Sequence, residues 1–137
     1  ACQREKFIMI VSITPFFAAL LALVYVLLSL QVSRLRRKAQ VSIGDGGDIA
    51  LQKAIRAHGN FIEYVPITLI ILMFLEMRTV SVYVIVILCA LLLVGRILHA
   101  IGISGMKEIL IFRMIGMICT FIALIVGSLW LLLTYLL

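Results

Sequence analysis

Acidic side chains are scarce in this chain: six Asp and Glu stand against twelve Lys and Arg in 137 residues, and charged residues of both signs make up only 13% of the sequence. With 65% apolar residues and a mean hydropathy of +1.28, there is too little polar surface to cover a water-soluble globule. Histidine occurs twice, at His58 and His99, too few to hold zinc without further ligands, and no cysteine falls at metal-ligand spacing, so no metal is expected. The three cysteines are an odd number; Cys89 and Cys119 lie inside apolar runs and read as small buried hydrophobes rather than as a disulfide framework. No Ser/His/Asp set and no phosphate-cradling glycine loop appears. What remains is an integral membrane protein.

Four runs are long enough to cross a hydrocarbon core, which takes about 20 apolar residues. They cover residues 7–30, 49–75, 80–103 and 109–137. The first follows the charged flank Arg4-Glu5-Lys6, as a signal peptide does, but its apolar run is too long and no Ala-x-Ala pattern follows, so it is expected to be a retained span. The segment Gly44-Asp45-Gly46-Gly47-Asp48 cannot stay helical and places Asp48 as a helix N-cap. Residues 77–79 and 104–108 are short connections, which set the last three spans antiparallel and side by side. The fold class expected is all-α, one four-helix membrane bundle over residues 1–137.

Charge distinguishes the two ends of that bundle. Arg34, Arg36, Arg37, Lys38, Lys53, Arg56, Arg96, Lys107 and Arg113 fall toward the end carrying the first and third connections, against Arg4, Lys6 and Arg78 at the other. By the positive-inside rule the first end is expected in the cytoplasm. The net charge of +6 then reads as topology and contact with anionic headgroups, not as a nucleic-acid surface.

The densest polar cluster opens the second span, where ionisable groups are costly unless used. At about 100° per residue, Arg56, Asn60, Glu63 and Tyr64 fall within a sector of roughly 100°, whereas His58 points the opposite way. Pro66 cannot donate to Ile62 and leaves that carbonyl as a spare acceptor beside the stripe. One reading is structural: Arg56 reaches the headgroups while Asn60 and Glu63 tie helices together. The other is a binding site. Arg96 and His99 approach the same end on span three, Arg113 on span four, and Arg36 and Arg37 finish span one, so a single Glu63 faces many guanidiniums and the pocket asks for an anion.

The run Arg56-x-x-x-Asn60-x-x-Glu63-Tyr64-x-Pro66 resembles the signature of the MAPEG family, the membrane-associated proteins in eicosanoid and glutathione metabolism. Ser29-Leu-Gln-Val32 with Arg36-Arg37 is similar to the end of that family's first helix, Gly95-Arg96-Ile-Leu-His99 to its third, and Phe112-Arg113-x-x-Gly116-Met to the start of its fourth. The glycine loop and the wording Arg56-Ala-His-Gly-Asn60 are closest to small bacterial members. The resemblance implies a homotrimer, in the inner membrane for a bacterial member, with glutathione bound between subunits near one membrane face, which the charge bias makes the cytoplasmic one. It implies that Arg56, Asn60, Glu63 and Tyr64 hold glutathione, with Arg36 reaching in from helix one, His58 serving the neighbouring site and Arg113 stabilising the thiolate. His99 and Ile103 stand where several members carry tyrosines, so a phenolic contact to the peptide or sulfur is missing and binding is expected to be weaker or arranged differently, with His99 among the ligand-binding residues.

The function so implied is a glutathione transferase or peroxidase acting on lipophilic electrophiles. Glutathione carries two carboxylates, an ammonium and a thiol, which guanidiniums and one carboxylate complement. A non-catalytic protein binding a lipid or small amphiphile is the alternative within the same fold, and a channel-like bundle with charges along a water path is a third. Small residues at Gly116, Thr120, Ala123 and Gly127 on span four, and Pro15, Ala18, Ala22 and Ser29 on span one, offer close-packing stripes, either inside one chain or between copies.

Overall fold

Three short connections divide the apolar sequence into four long helices in the computed structural model, which describes residues 11–137. They are α1 (Ile13–Ala39), α2 (Ile49–Met77), α3 (Val82–Ser104) and α4 (Leu110–Leu136), and no strand occurs among the described residues. Each is long and apolar enough to cross a membrane. Cys2, Arg4, Lys6 and the expected start of the first span at residue 7 lie outside the described residues.

The bounds of α2, α3 and α4 fall within two residues of those read from hydropathy, but α1 does not stop near Leu30. It continues to Ala39 through Arg34, Arg36, Arg37 and Lys38. Arginine and lysine are good helix formers and no Gly or Pro interrupts them; the end of the apolar run marks where lipid ends, not where the helix does. At about 1.5 Å per residue, 27 residues extend about 40 Å, beyond a hydrocarbon core of about 30 Å. The three basic residues of the last turn face the negative end of the helix dipole. Gln40, at φ 55°, closes the helix in the left-handed conformation.

Beyond it, Gly44 and Gly47 adopt φ of +73° and +80°, conformations open to glycine without steric cost. The chain then enters α2 as expected, with Asp48 accepting the Leu51 N–H at 2.8 Å. The other end of the bundle holds a cap that the sequence reading missed. Glu76, buried at the end of α2, accepts the N–H groups of Ser12, Ile13 and Thr14, each at 2.8 Å. Because Pro15 has no N–H to offer, these three are all the N–H groups that this helix start leaves open, and one carboxylate satisfies them and pins α1 to α2.

Packing is tightest between α3 and α4. A Cβ on Gly116 would lie 2.7 Å from the His99 backbone nitrogen, and one on Gly102 would lie 2.7 Å from that of Arg113. Glycine is needed at both positions because the two backbones touch. Where lipid provides no hydrophobic drive between helices, such close approach supplies dispersion energy instead. The stripe of Gly116, Thr120, Ala123 and Gly127 is buried in this way inside the single chain, Gly127 against Leu72 and Ile71 of α2. Pro15 and Ala22 on the α1 stripe remain exposed. The core cluster runs through Leu21, Phe61, Leu72, Leu92 and Ala123, and much of the outer face is large and apolar, as in Leu23, Ile87 and Leu132.

Candidate functional site

At the end of the bundle carrying the loops 40–48 and 105–109, three helices leave a cleft of about 360 Å³. Arg56 and Asn60 enter it from α2, His99 and Ile103 from α3, and Arg113 from α4. The remaining wall belongs to Leu110, Met114, Met117, Ile118 and Phe121. Relative to Arg113, the last four lie at i+1, i+4, i+5 and i+8, one face of α4. That periodicity was legible, but nothing in it identified the face as a cleft wall. A second concavity, lined by Gln52, Lys53, Gly59 and Glu108, shares Arg56, Ile103 and Arg113 with the first.

Of the expected site residues, Arg56, Asn60, His99 and Arg113 therefore converge. Glu63 and Tyr64 do not line the cleft. Glu63 turns back seven residues to receive Arg56, Nη1 to Oε1 at 3.2 Å and Nη2 to Oε2 at 3.1 Å, with both side chains half exposed. Tyr64 packs edge-on against Phe121, ring centroids 5.4 Å apart, one layer behind the wall. Arg36 lies away from the cleft, its Nη1 donating to the Gly44 carbonyl at 2.6 Å. His58 points away from the Arg56 stripe, as its helical angle required, and enters the α1–α2 seam of its own chain. Its Nε2 is 3.0 Å from Ser29 Oγ, whose hydroxyl donates to the Tyr25 carbonyl, and its ring stacks on Tyr25.

Arg113 has an acidic partner that the sequence analysis did not identify. It pairs with Glu108, and both side chains are about one-third exposed. Arg56 and Arg113 thus each carry an acid that water also reaches.

Arg96, counted only as part of the positive surplus, takes an unexpected place directly behind the cleft. It is 1% exposed. Its Nη2 donates to Asn60 Oδ1 at 2.6 Å and lies 3.5 Å from His99 Nδ1, while its Nη1 donates to Thr120 Oγ1 at 3.4 Å and reaches Met117 Sδ at 3.6 Å. Nε has no partner. The Phe61 ring also faces this guanidinium, its centroid 5.8 Å from Cζ, and no carboxylate pairs with it among the described residues. A buried cation without an acid raises the affinity of the adjoining cleft for an anion. The signal for it was Arg96 one turn before His99 in a run with no acid. No group of three or more His, Cys, Asp or Glu side chains that could hold a metal occurs among the described residues.

The sequence model of the MAPEG family matches residues 14–133. Inner membrane protein YecN of Escherichia coli (strain K12) is 36% identical over 121 residues, which cover 86% of this chain and 91% of the relative. Inner membrane protein YecN of Escherichia coli O6:H1 (strain CFT073) matches over the same shares at the same identity.

Proposed function

The chain belongs to the MAPEG family, and from that premise we propose that it is a membrane-bound glutathione transferase or glutathione-dependent peroxidase working at the Arg56–Arg113 cleft. One observation carries the reading: guanidiniums from α2 and α4 line one apolar-walled cleft, with the acid-free Arg96 behind it. Arg56 would take a glutathione carboxylate, Glu63 the ammonium, and Asn60 and His99 would hydrogen-bond along the peptide. Tyr64 would border this arrangement through Phe121. Arg113 would stand by the sulfur. A thiol of pKa about 8.5 is mostly protonated at neutral pH, and a fixed cation favours its thiolate.

The thiolate then attacks an electrophilic carbon presented from the lipid side, where Met114, Ile118 and Phe121 form the wall. A carbon–sulfur bond forms, and the displaced electron pair leaves with the leaving group or is captured by a proton. As a peroxidase, two glutathiones would reduce one hydroperoxide to an alcohol and water, leaving the disulfide. Arg36 and His58 do not reach the cleft of their own chain; the family resemblance carries a homotrimer in which they would serve a neighbour's site. The basic end, with the cleft, would face the cytoplasm.

Ultraviolet difference spectroscopy of the purified protein with glutathione tests both halves of the proposal. Saturable thiolate absorbance, with turnover of a chloronitrobenzene, is the expected result. Binding without thiolate identifies instead a non-catalytic carrier of a lipid or small amphiphile, a reading that the apolar α4 wall favours. No binding defeats the glutathione assignment. Native mass spectrometry in detergent is expected to give a trimer, and a stable monomer that still binds glutathione would exclude an intersubunit site.

A further inference from the structure

We propose that Arg96 is a positioning residue that sets the polarity of the cleft, so that Asn60 and His99 can only donate hydrogen bonds into it and His99 does so through Nε2–H. The inference rests on the glutathione reading for the identity of the ligand, but not for the polarity itself.

A guanidinium has donors and no acceptor. The atom of Asn60 that receives Arg96 Nη2 at 2.6 Å must therefore be the carbonyl oxygen. This fixes the amide, because the reversed amide would set N–H against N–H. Asn60 Nδ2 has no partner among the described residues and belongs to a side chain lining the cleft. The same logic fixes His99. Its Nδ1 lies 3.5 Å from Arg96 Nη2; even at that long distance a proton on Nδ1 would point at a cation. The ring proton is held on Nε2, and the ring lines the cleft.

Thr120 completes the arrangement. Its hydroxyl donates to the Gly116 carbonyl at 2.8 Å, which turns its lone pairs toward Arg96. Arg96 is thus held by oxygen, nitrogen and sulfur acceptors, three of which belong to residues that line the cleft: Asn60, His99 and Met117. With Arg56 and Arg113, every nitrogen-bearing side chain lining the cleft then presents donors, and the Met117 sulfur is engaged by Arg96. Such a wall accepts a carboxylate or thiolate and penalises a ligand whose buried groups are donors, since facing donors leave both unsatisfied. The buried seam between α3 and α4 keeps Arg96 in place without an acid that would cancel its charge.

The tautomer can be measured without any ligand. In nitrogen-15 NMR spectra of histidine-labelled protein in nanodiscs, with His58→Gln used to assign the two rings, His99 should carry its proton on Nε2 and a bare Nδ1. A proton resident on Nδ1 overturns the proposal. Asn60→Asp gives the second test. The carboxylate satisfies Arg96, so the variant should fold and unfold at or above the wild-type temperature, yet it replaces a donor by an acceptor in the cleft. Glutathione affinity should fall tenfold or more. A purely structural Asn60–Arg96 contact predicts unchanged or tighter binding, which would overturn the assignment.

His99→Gln, which can donate from the Nε2 position, should keep affinity within a few-fold, while His99→Leu should lose tenfold or more; equal losses in the two variants count against the donor role. Repeating the pair with S-methylglutathione identifies the anion served, because that ligand retains both carboxylates but cannot form a thiolate. Should wild-type protein bind no glutathione, the proposed function fails, and the tautomer measurement alone then decides the inference.

Discussion

Glu108 gives the sharpest test of the role proposed for Arg113, because the two substitutions should move one measurement in opposite directions. Arg113 is shared between Glu108 and the cleft. The pair is about one-third exposed on each side, and ion pairs so open to water contribute about 0.2–1 kcal/mol. Glu108→Gln removes that competitor and leaves the guanidinium to the ligand. Bound glutathione thiolate should be favoured by about 1.4- to 5-fold. The pH midpoint of thiolate absorbance should then fall by up to about 0.7 of a unit, at about 1.4 kcal/mol per unit.

Arg113→Ala removes the cation itself. A charge-assisted hydrogen bond is worth about 1.5–3 kcal/mol, so the midpoint should rise by about one to two units, and conjugation at neutral pH should fall about ten- to a hundredfold. Arg113→Lys should recover part of this, because a point charge on a flexible stem does not reproduce a planar fork. The double variant should retain most of the alanine loss, and raising the salt concentration should shrink the Glu108→Gln gain. Titration of thiolate absorbance with glutathione in excess reads all four proteins. If Glu108→Gln raises the midpoint as Arg113→Ala does, the pair is a structural unit and the thiolate is stabilised elsewhere, with His99 next to examine.

Glu63→Gln should lower glutathione affinity by several-fold to about a hundredfold, from loss of about 1–3 kcal/mol at the ammonium, while the half-exposed Arg56 pair leaves the unfolding temperature nearly unchanged; isothermal calorimetry and thermal melts check the two arms. Glu76→Gln places an amide N–H among three backbone N–H groups and should destabilise the fold by about 1–3 kcal/mol, read as a lower unfolding temperature in detergent. Its glutathione affinity should not change, because Glu76 lies 20 residues along α2 from Arg56, about 30 Å away. Gly116→Ala should destabilise by about 1–3 kcal/mol through overpacking, since its Cβ would sit 2.7 Å from the His99 backbone nitrogen, whereas Gly59→Ala, whose nearest neighbour is Arg56 Nη1 at 3.9 Å, should be tolerated.

Much of this architecture could be read from residue types because the governing forces are local. Apolar run lengths located four spans, the glycines and Asp48 located the loop, and a 100° advance per residue set His58 opposite Arg56. The failures have a different origin. The angular sector holding Glu63 and Tyr64 is wider than the cleft, and a long side chain is free to turn back along its own helix to Arg56, so a shared face did not mean a shared site. Glu108 became the partner of Arg113 through the path of the turn at residues 105–109, which no helical periodicity describes. A stripe of Gly, Thr and Ala says that something approaches closely, but not which helix; it proved to be α3 and α2. Glu76 left no signal in the sequence because its three partners are backbone groups, which no side-chain pattern reports.

The cleft arginines differ in a way that bears on turnover. Arg96 sits in the seam where α3 and α4 touch through glycine, so displacing it would move backbone as well as side chain. Arg56 and Arg113 stand on the open side, each against a carboxylate that water also reaches. On the proposed reading, an arriving glutathione exchanges its own carboxylate for Glu63 at Arg56 and its thiolate for Glu108 at Arg113. Each exchange substitutes one anion for another, so neither guanidinium passes through an unpaired state and the displaced acid returns to solvent. The released Glu63 then becomes available to the ammonium, which couples arrival of one end of the ligand to a partner for the other. A site that bound its anion only through buried unpaired cations would hold product as firmly as substrate. On the same reading, the cleft donors Asn60 and His99, held from behind by Arg96, would supply selectivity, while the exchangeable pairs would keep binding moderate enough for release.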